Sequence, residues 1–562
     1  MSANKLINHI AGLDEVEISN IVEQKGELIF LEMQVKDEKN ITKFMYFEKR
    51  VKELDESIKT ELTEEGLLSF FFTKRKPENY ENLLKAFLKK YYLIEEPEKE
   101  DFTIIAKITA RCNLSCAYCY DQEFRAALSH CGNLPLEDLD KVCRMAAAHA
   151  KRVQLILHGG EPSLAGIPYI RSVIRDIVPK YPYCQFDVCM QSNGLVFDEE
   201  WKSFFKETGL GIGISYSALD PSLRFLKGQE EKVLANIKML VEAGICSGII
   251  DVITNTTIEG VEKIYNFYKA NNLPQNLNLV YDAPNLEGEV IFKTSDADKY
   301  YEVVKKYFKK WICEQDAKTE RFASMYIENL LSATGGTCNH HGTCINGLWM
   351  GVNANGDIYP CDSDYPKQYR MANVSEIESL AELYGGAPWQ SYYKERKEAM
   401  AKCKEKCRLY PYCKGGCPAN DVMSTGSAGK KNPHHCSIFH KTMLAAYEAL
   451  KSVTIDTINP MLREHILRNN CILPGEINSL LRELGIGKNE LCFEDKETLF
   501  DKNFELFQTF NHPYTELRIQ GPANDMGSCS DAPPEKDERF KIIKEALREK
   551  DILKDFDENY TG

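Results

Sequence analysis

The chain has 562 residues, enough for three or more domains and a large buried core. Hydrophobic residues make up 43% and charged residues 27%, which excludes a chain that is disordered or collagen-like as a whole. Acidic residues outnumber basic ones 84 to 70, and the resulting formal charge of -14 argues against a general binder of nucleic acid or of anionic membranes.

The first hundred residues predict a small α+β domain. Strand-like alternation covers residues 16–22, 28–35 and 42–47, and helical spacing follows over 81–92. The charged, proline-containing segment 95–100 is typical of a linker.

From residue 102 onward, short apolar runs alternate with helical stretches such as 136–152 and 232–243. This pattern predicts an α/β fold built on a parallel sheet or partial barrel, with catalytic groups at the carboxyl ends of its strands. The six expected strands are 104–109, 153–157, 186–191, 211–215, 249–254 and 277–281.

The later part of the chain changes character. Residues 338–436 are rich in Cys, Gly, His and Pro and lack long periodic segments, so we expect bound metal rather than a packed core to hold them. Helical periodicity returns further on, for example over 477–484 and 540–547, without a recognisable motif. The expected domain limits are 1–100, 101–320, 321–450 and 451–562.

The twenty cysteines are too dilute for a secreted disulfide scaffold, and many of them are clustered. No apolar run reaches the length of about 18 residues that crosses a bilayer, and residues 1–5 are not followed by an uncharged signal-peptide core. We therefore expect a cytoplasmic protein, in which grouped thiols serve metal or redox chemistry.

Three of these thiols follow the first strand of the expected barrel. Cys112, Cys116 and Cys119 have the spacing C-x3-C-x2-C. Three thiolates can hold three irons of a [4Fe–4S] cluster and leave the fourth iron open. The alternative is structural zinc, which requires four closed ligands, and no fourth Cys or His lies near this loop in the sequence.

This loop resembles the fingerprint of the radical S-adenosylmethionine (SAM) superfamily, with Tyr118 at its aromatic position. The resemblance implies a partial (β/α)6 barrel in which the open iron binds SAM and an electron from the cluster cleaves it to a 5′-deoxyadenosyl radical. The segment 158–162, His-Gly-Gly-Glu-Pro, is similar to the family's GGEP motif, in which the strand edge and Glu161 could receive an ammonium group.

The next two strand ends, 191–194 and 215–218, resemble SAM-contacting segments of the family. Relatives often have Ser-x-Asp-Gly in the second of them, and this chain lacks that Asp. Asp220 and Arg224 follow, either as cofactor contacts or as surface charges of a turn. The residues expected to hold SAM are Tyr118, Gly159, Gly160, Glu161, Gln191, Ser192, Asn193, Ser215 and Arg224.

Eight further cysteines resemble the SPASM extension of radical SAM peptide and protein maturases, although three residues separate Cys403 from Cys407 where the family usually has two. The resemblance implies two auxiliary [4Fe–4S] clusters, for three in all. A pair of zinc sites is the alternative. The first auxiliary set is Cys338, Cys344, Cys361 and Cys417, and the second is Cys403, Cys407, Cys413 and Cys436.

Asp362 directly follows Cys361 and matches the aspartate that accepts a proton in sulfatase-maturing members of the family. We expect the anionic cluster beside it to raise its pKa. A solvated loop aspartate is the alternative. The neighbouring histidines His340, His341, His434 and His435 are expected to remain without metal.

These features predict a radical SAM/SPASM enzyme that modifies a ribosomally made peptide or a protein side chain, by thioether or carbon–carbon crosslinking or by oxidation. The resemblance implies a precursor peptide or protein substrate and an electron donor such as flavodoxin or ferredoxin. The first hundred residues are then either a leader-peptide recognition element or a capping domain. A radical SAM enzyme acting on a small metabolite and a zinc-binding interaction protein are the alternatives.

Overall fold

The structure, a computed structural model, describes residues 101–280, 296–318, 320–332, 347–363, 367–469 and 471–476, isolated residues at 290, 293, 344, 504, 507, 508 and 511, and the backbone of three strands before residue 48. The expected helices at 81–92, 477–484 and 540–547 lie outside the described residues, as do Cys338, His340 and His341. Contacts divide the chain into two units, Met1–Lys99 and Glu100–Gly562.

The first unit contains an antiparallel meander of β1 (Val16–Lys25), β2 (Leu28–Asp37) and β3 (Asn40–Phe47). Its register pairs Val16 with Val35 and Phe30 with Phe47. The three predicted strands are confirmed, each extended by a few residues.

The second unit is built on a nine-stranded sheet of order β12-β11-β10-β4-β5-β6-β7-β8-β9. Neighbouring strands from β4 to β9 are parallel, as expected for successive β/α units, and the sheet has free ends at β12 and β9, so the barrel is partial. The parallel strands are β4 (Phe102–Thr109), β5 (Arg152–Gly159), β6 (Gln185–Ser192), β7 (Gly211–Tyr216), β8 (Cys246–Ile253) and β9 (Gln275–Leu279).

Helices connect these strands and cover the sheet. The α-helices of the barrel region are α1 (Gln122–Ala127), α2 (Leu136–His149), α3 (Ile167–Ser172), α4 (Glu199–Thr208), α5 (Gln229–Glu242), α6 (Val261–Ala270), α7 (Ala297–Cys313) and α8 (Arg321–Ser332). α2 ends earlier than the expected residue 152 because Ala150 is extended and Arg152 already begins β5.

Local signals set the ends of α4. Asp198 caps its first turn by accepting from the backbone N–H groups of Glu200 and Trp201 at 3.0 and 3.1 Å. Gly209 stops the helix in a left-handed conformation, with φ of +69°. The helix buries Trp201 and its neighbouring phenylalanines against the sheet.

The cysteine-rich region contradicts the expectation that it lacks a packed core. β10 (Trp349–Val352) pairs in parallel with β4, and β11 (Asp357–Tyr359) and β12 (Ala372–Asn373) extend the sheet from it. Val352 and Ile358 are buried in the same core as the barrel. Strands of four, three and two residues are too short to show an alternating pattern, so the sequence did not reveal them.

Helices complete this region. They are α9 (Leu380–Gly385), α10 (Ala387–Lys406), α11 (Tyr410–Cys413), α12 (Pro418–Thr425), α13 (Pro433–Lys451) and α14 (Pro460–Arg468). α13 packs along α7 of the barrel, where Thr442 donates to the buried Tyr300 hydroxyl at 3.0 Å. In the part of the chain that the structure describes, no helix is both long and apolar enough to span a bilayer.

Candidate active site

A cavity of about 670 Å³ opens at the carboxyl ends of the parallel strands. Active sites of α/β barrels form at this end of the sheet. Every residue expected from the sequence to hold the SAM cluster or SAM borders the cavity, together with Asp362: Cys112, Cys116, Tyr118, Cys119, Gly159, Gly160, Glu161, Gln191, Ser192, Asn193, Ser215, Arg224 and Asp362.

The loop that carries Cys112, Cys116 and Cys119, called the thiol loop below, is held in place by α1. Arg125 approaches the sulfur of Cys119 at 3.7 Å and donates to the Leu114 carbonyl at 3.2 Å, and Gln122 donates to the Cys116 carbonyl at 3.1 Å. Burial raises the pKa of the Cys112 and Cys119 thiols, while the Arg125 charge lowers both. The guanidinium therefore favours the thiolate form that a cluster requires.

The donor set of this loop fits an iron–sulfur cluster. All three thiols are free, and they border one cavity. A cubane takes each thiolate on a separate iron, whereas a single ion draws its ligands to one point. Among the described residues, no group of three or more His, Cys, Asp or Glu side chains is placed to hold a single ion.

Glu161 differs from the expected role of its side chain. It is 1% exposed, and its carboxylate accepts from Ser163 N at 3.0 Å, Ser163 Oγ at 2.5 Å, Ser192 Oγ at 2.8 Å and Asn193 N at 2.8 Å. Both oxygens are thus engaged by the chain itself. Glu161 therefore joins the ends of β5 and β6.

The two glycines before Glu161 allow neighbouring backbones to approach. A Cβ on Gly160 would lie 2.3 Å from the Arg111 carbonyl oxygen, and Gly159 has φ of +131° with the Thr109 carbonyl equally close. Gly160 N–H donates to the Thr109 carbonyl at 2.9 Å. Glycine is therefore required here so that β5 can reach the start of the thiol loop.

The third and fourth strand ends are also connected. Gln191 donates to the Ser215 hydroxyl at 3.0 Å, and Asn193 donates to the Asn113 side chain at 2.7 Å. The second contact links β6 directly to the thiol loop. These amides fix the wall of the cavity beside Cys112.

Arg224 and Asp220 have different environments. Arg224 borders the cavity and donates to the Tyr118 hydroxyl at 3.1 Å, which also lies 2.8 Å from the Ser217 hydroxyl. Asp220 instead accepts from Ser222 at 2.5 Å and does not border the cavity. Of the two charges at this turn, Arg224 is the one placed for a cofactor contact.

A carboxylate from the next strand, β8, contacts the turn after β7, where this chain lacks the Asp that relatives often have. Asp251 of β8 is 2% exposed and accepts from the Ala218 backbone N–H at 2.8 Å and from the Tyr268 hydroxyl at 3.0 Å. Burial raises the pKa of Asp251 to about 6. This carboxylate holds the turn after β7 and was not predicted from the sequence.

Asp362 reaches the cavity from the cysteine-rich region. Tyr120 donates to its Oδ2 at 2.8 Å, and the Cys361 thiol lies 3.1 Å from its Oδ1. Gly351 of β10 permits this approach, because a Cβ there would lie 2.2 Å from the Cys361 carbonyl oxygen. β10 and β11, which extend the sheet beyond β4, therefore position Asp362 at the cavity that the thiol loop borders.

The side chains around Asp362 oppose the effect expected of an anionic cluster. Burial raises the pKa of Asp362, but the charges of His158 and Lys107 and the hydrogen bond from Tyr120 lower it. Lys107 was not predicted from the sequence because it lies within the apolar strand β4. The raised pKa beside a bound cluster stays a prediction.

Lys107 and Asp121 form a buried ion pair behind the thiol loop. Lys107 Nζ lies 2.5 Å from Asp121 Oδ1, and the two side chains are 2% and 6% exposed. Neither residue was predicted as part of the site, since a single lysine in an apolar run gives no spacing signal. The pair ties β4 to the residue that follows Cys119 and Tyr120.

Seven of the eight auxiliary cysteines lie in the described residues: Cys344, Cys361, Cys403, Cys407, Cys413, Cys417 and Cys436. The pKa of Cys413 is raised to about 12, mainly by burial and also by Cys407 and Cys436. The pKa of Cys436 is raised to about 11, mainly by burial and also by Asp421, Cys403 and Cys407. The four thiols assigned to the second cluster therefore lie within electrostatic range of one another.

The additional residue between Cys403 and Cys407 is accommodated by a helix. α10 continues to Lys406, and the Cys407 N–H donates to the Cys403 carbonyl at 2.8 Å. Side chains four positions apart lie on one helical face. The two thiols thus remain neighbours despite the longer spacing.

The turn from Cys413 to Cys417 joins the two auxiliary sets. Lys414, Gly415 and Gly416 have φ of +48°, +85° and +66°, so the chain turns through three left-handed residues. A Cβ on Gly415 would lie 2.8 Å from Met400, which favours glycine. Cys413 and Cys417, one thiol of each proposed set, are four positions apart at the two ends of this turn.

A buried guanidinium holds that turn. Arg396 of α10 is 0% exposed and donates to the carbonyls of Gly415 and Gly416, both at 3.0 Å, and to Asp421 Oδ2 at 2.7 Å. Asp421 is equally buried and also accepts from Lys431. The expectation that metal alone organises this region missed this ion cluster.

Comparison with known proteins agrees with these observations. The model of the radical SAM superfamily matches residues 106–268, and the SPASM model, an iron–sulfur cluster-binding domain, matches residues 344–408. The first match spans the thiol loop and strands β5 to β8. The second includes Cys344, Cys361, Cys403 and Cys407.

Similar curated proteins include a cysteine-type anaerobic sulfatase-maturating enzyme from Clostridium novyi (strain NT), which is 28% identical over 337 residues, covering 56% of this chain and 87% of that protein. A serine-type anaerobic sulfatase-maturating enzyme from Bacteroides thetaiotaomicron is 22% identical over 354 residues, covering 58% and 84%.

A similar fold occurs in the solved structure of native anSMEcpe with bound AdoMet and Cp18Cys peptide. It has a TM-score of 0.53 and 22% identity, and the match covers 62% of this chain and 97% of that one. Residues 106–268 of this enzyme therefore form a radical SAM domain and residues 344–408 a SPASM iron–sulfur cluster-binding domain, and its cofactors are SAM and [4Fe–4S] clusters.

Proposed function

We propose that this enzyme oxidises a Cys or Ser side chain of a protein substrate to an aldehyde. The observation that carries the proposal is that one cavity is bordered by the thiol loop, by the Gly159–Glu161 segment and by Asp362. The similarity to cysteine-type and serine-type sulfatase-maturating enzymes supports it. When bound, the cofactors would supply a 5′-deoxyadenosyl radical that abstracts a hydrogen atom from the substrate. Loss of a proton and an electron would then leave the aldehyde on a Ser, or a thioaldehyde on a Cys that water hydrolyses to the aldehyde with release of sulfide.

The residues of the chain have distinct tasks in this reaction. Cys112, Cys116 and Cys119 hold the cluster, and Arg125 compensates their charge. Glu161 fixes the strand edge that meets SAM. Arg224 and Tyr118 form a hydrogen-bonded pair that borders the same cavity.

Asp362 is the group proposed to accept the proton of the substrate thiol or hydroxyl. Its carboxylate borders the cavity, and the neighbouring positive charge of Lys107 favours the ionised form that can accept a proton. Cys361 would help to hold an auxiliary cluster, which could take up the electron that the substrate loses. Cys361 and Asp362 are consecutive residues, and the sulfur of the first lies 3.1 Å from Oδ1 of the second. This proximity supports a proton acceptor and an electron acceptor close together.

The wider setting is also a proposal. We assign residues 1–100 to recognition or capping, 101–320 to the barrel, 321–450 to the SPASM domain with two auxiliary clusters, and 451–562 to an extension without an assigned role. The division of the chain at Lys99 and Glu100 supports the first limit. We further propose a reducing, cytoplasmic setting, in which clustered thiols serve metal chemistry, with a flavodoxin or ferredoxin as electron donor.

The test is anaerobic incubation of the enzyme with SAM, a reductant and matched peptides that contain Cys, Ser or Ala at one position. Mass spectrometry should show an aldehyde on the Cys or Ser peptide and no change on the Ala peptide. Asp362→Asn should reduce product formation at least tenfold while SAM binding persists. An internal loss of two hydrogens that survives aldehyde trapping would instead show crosslinking and contradict the proposal.

A further inference from the structure

A histidine outside all of the sequence motifs lies against one auxiliary thiol. His440 and Cys436 are four positions apart on α13 and therefore share one face of that helix. The Nε2 atom of His440 lies 3.4 Å from Sγ of Cys407, at the end of α10. Both side chains are partly buried, so little water competes for the contact.

The chemistry of a cluster ligand determines the direction of this contact. A cysteine that binds iron is a thiolate, which has no proton and can only accept a hydrogen bond. The imidazole nitrogen facing it must then carry the hydrogen. Hydrogen bonds to the sulfurs are one of the means by which a protein sets the reduction potential of an iron–sulfur cluster.

We propose that His440 donates a hydrogen bond to the Cys407 thiolate and thereby raises the reduction potential of the auxiliary cluster that Cys407 helps to hold. The donated hydrogen bond stabilises the additional negative charge of the reduced cluster. His440 is thus a positioning residue for electron acceptance and does not touch the substrate. This inference rests on the auxiliary-cluster assignment within the proposed function.

The test compares His440→Leu, which removes the donor, with His440→Gln, whose amide can still donate. Both are made in the full chain with Cys112, Cys116 and Cys119 replaced by Ala, so that only auxiliary clusters give a signal. Redox titration followed by electron paramagnetic resonance should show a lower midpoint potential in His440→Leu and a partial return in His440→Gln. Iron content should stay unchanged.

A matched control is His465→Leu, since His465 is a partly buried histidine of the neighbouring helix α14 whose contacts are with Asn469 and Glu328. It should leave the potential unchanged. An unchanged potential in His440→Leu overturns the inference, as does loss of about four irons, which would make His440 a ligand. The redox titration requires no substrate, so a failure of peptide oxidation would not affect the inference about His440. Absence of auxiliary iron in the parent protein would overturn both this inference and the proposed function.

Discussion

At the scale of single residues, buried charged side chains of the barrel form hydrogen bonds and ion pairs with other residues of the protein. Glu161 is the main example, because its carboxylate accepts four hydrogen bonds from the ends of β5 and β6. A carboxylate with this many donors holds backbone in place and leaves neighbouring groups to bind the ligand.

We predict that Glu161→Ala weakens SAM binding ten- to a hundredfold, because each lost hydrogen bond to a charged group is worth about 1.5–3 kcal/mol and the strand edge loosens. Glu161→Gln should lose less, since its amide oxygen still accepts. Equilibrium dialysis with SAM measures the affinity, and iron analysis checks that the thiol loop keeps its cluster. Unchanged affinity in Glu161→Ala would refute the bracing role.

Glu320 predicts a pH dependence of stability. It is 0% exposed at the start of α8, accepts from the backbone N–H groups of Phe322 and Ala323 at 2.8 and 2.6 Å, and burial raises its pKa from 4.5 to about 7. The folded state therefore binds a proton that the unfolded state releases between these values. The contribution of Glu320 to the free energy of unfolding is greatest below pH 4.5. It falls as the pH rises to about 7, by an amount on the order of 3 kcal/mol.

Glu320→Gln removes this titration, so its stability should be nearly constant where the parent protein declines. Anaerobic thermal unfolding at pH 5.5 to 8.5 measures the difference between the two proteins, which should change up to about pH 7 and then level off. Parallel curves over the whole range would contradict the account.

At the scale of elements, the turn from Cys413 to Cys417, between α11 and α12, depends on the buried ion cluster of Arg396, Asp421 and Lys431. Removing one partner of a buried ion pair is strongly destabilising, by about 3–5 kcal/mol, because the other charge is left without compensation. Here the same guanidinium also holds the carbonyls of Gly415 and Gly416.

We predict that Arg396→Met loses more than half of the auxiliary iron and keeps the SAM cluster. Iron and sulfide analysis, with SAM-dependent spectral changes as the readout of the remaining cluster, measures both. Arg468→Met is the control, since its pair with Glu464 is exposed and such pairs contribute well under 1 kcal/mol. Full auxiliary iron in Arg396→Met would show that the turn does not depend on Arg396 and its ion partners.

The elements also show what the sequence could predict. The six parallel strands follow from apolar runs, and local motifs at their ends predicted residues, including Ser215 and Arg224, that do border the cavity. β10 to β12 are too short to have a period. Lys107 with Asp121, and Arg396 with Asp421, become partners only through tertiary packing, which no spacing along the chain encodes.

At the scale of the whole molecule, the cysteine-rich region is continuous with the barrel. β10 adds to β4, α13 packs along α7, and Asp362 reaches the cavity that the thiol loop borders. One sheet therefore carries both the residues proposed to form the radical and the residue proposed to accept the proton. Because separate sets of cysteines are proposed to hold the two kinds of cluster, we expect either kind to be lost without loss of the other.

The central claim is that Cys112, Cys116 and Cys119 hold a cluster that cleaves SAM. The direct measurement is 5′-deoxyadenosine released under anaerobic conditions from SAM and reductant, by the reconstituted enzyme and by the variant with all three cysteines replaced by Ala. The account predicts release by the enzyme and none by the variant, whose iron falls by about four per chain. Equal release by both proteins, or none by a fully reconstituted enzyme, would contradict it.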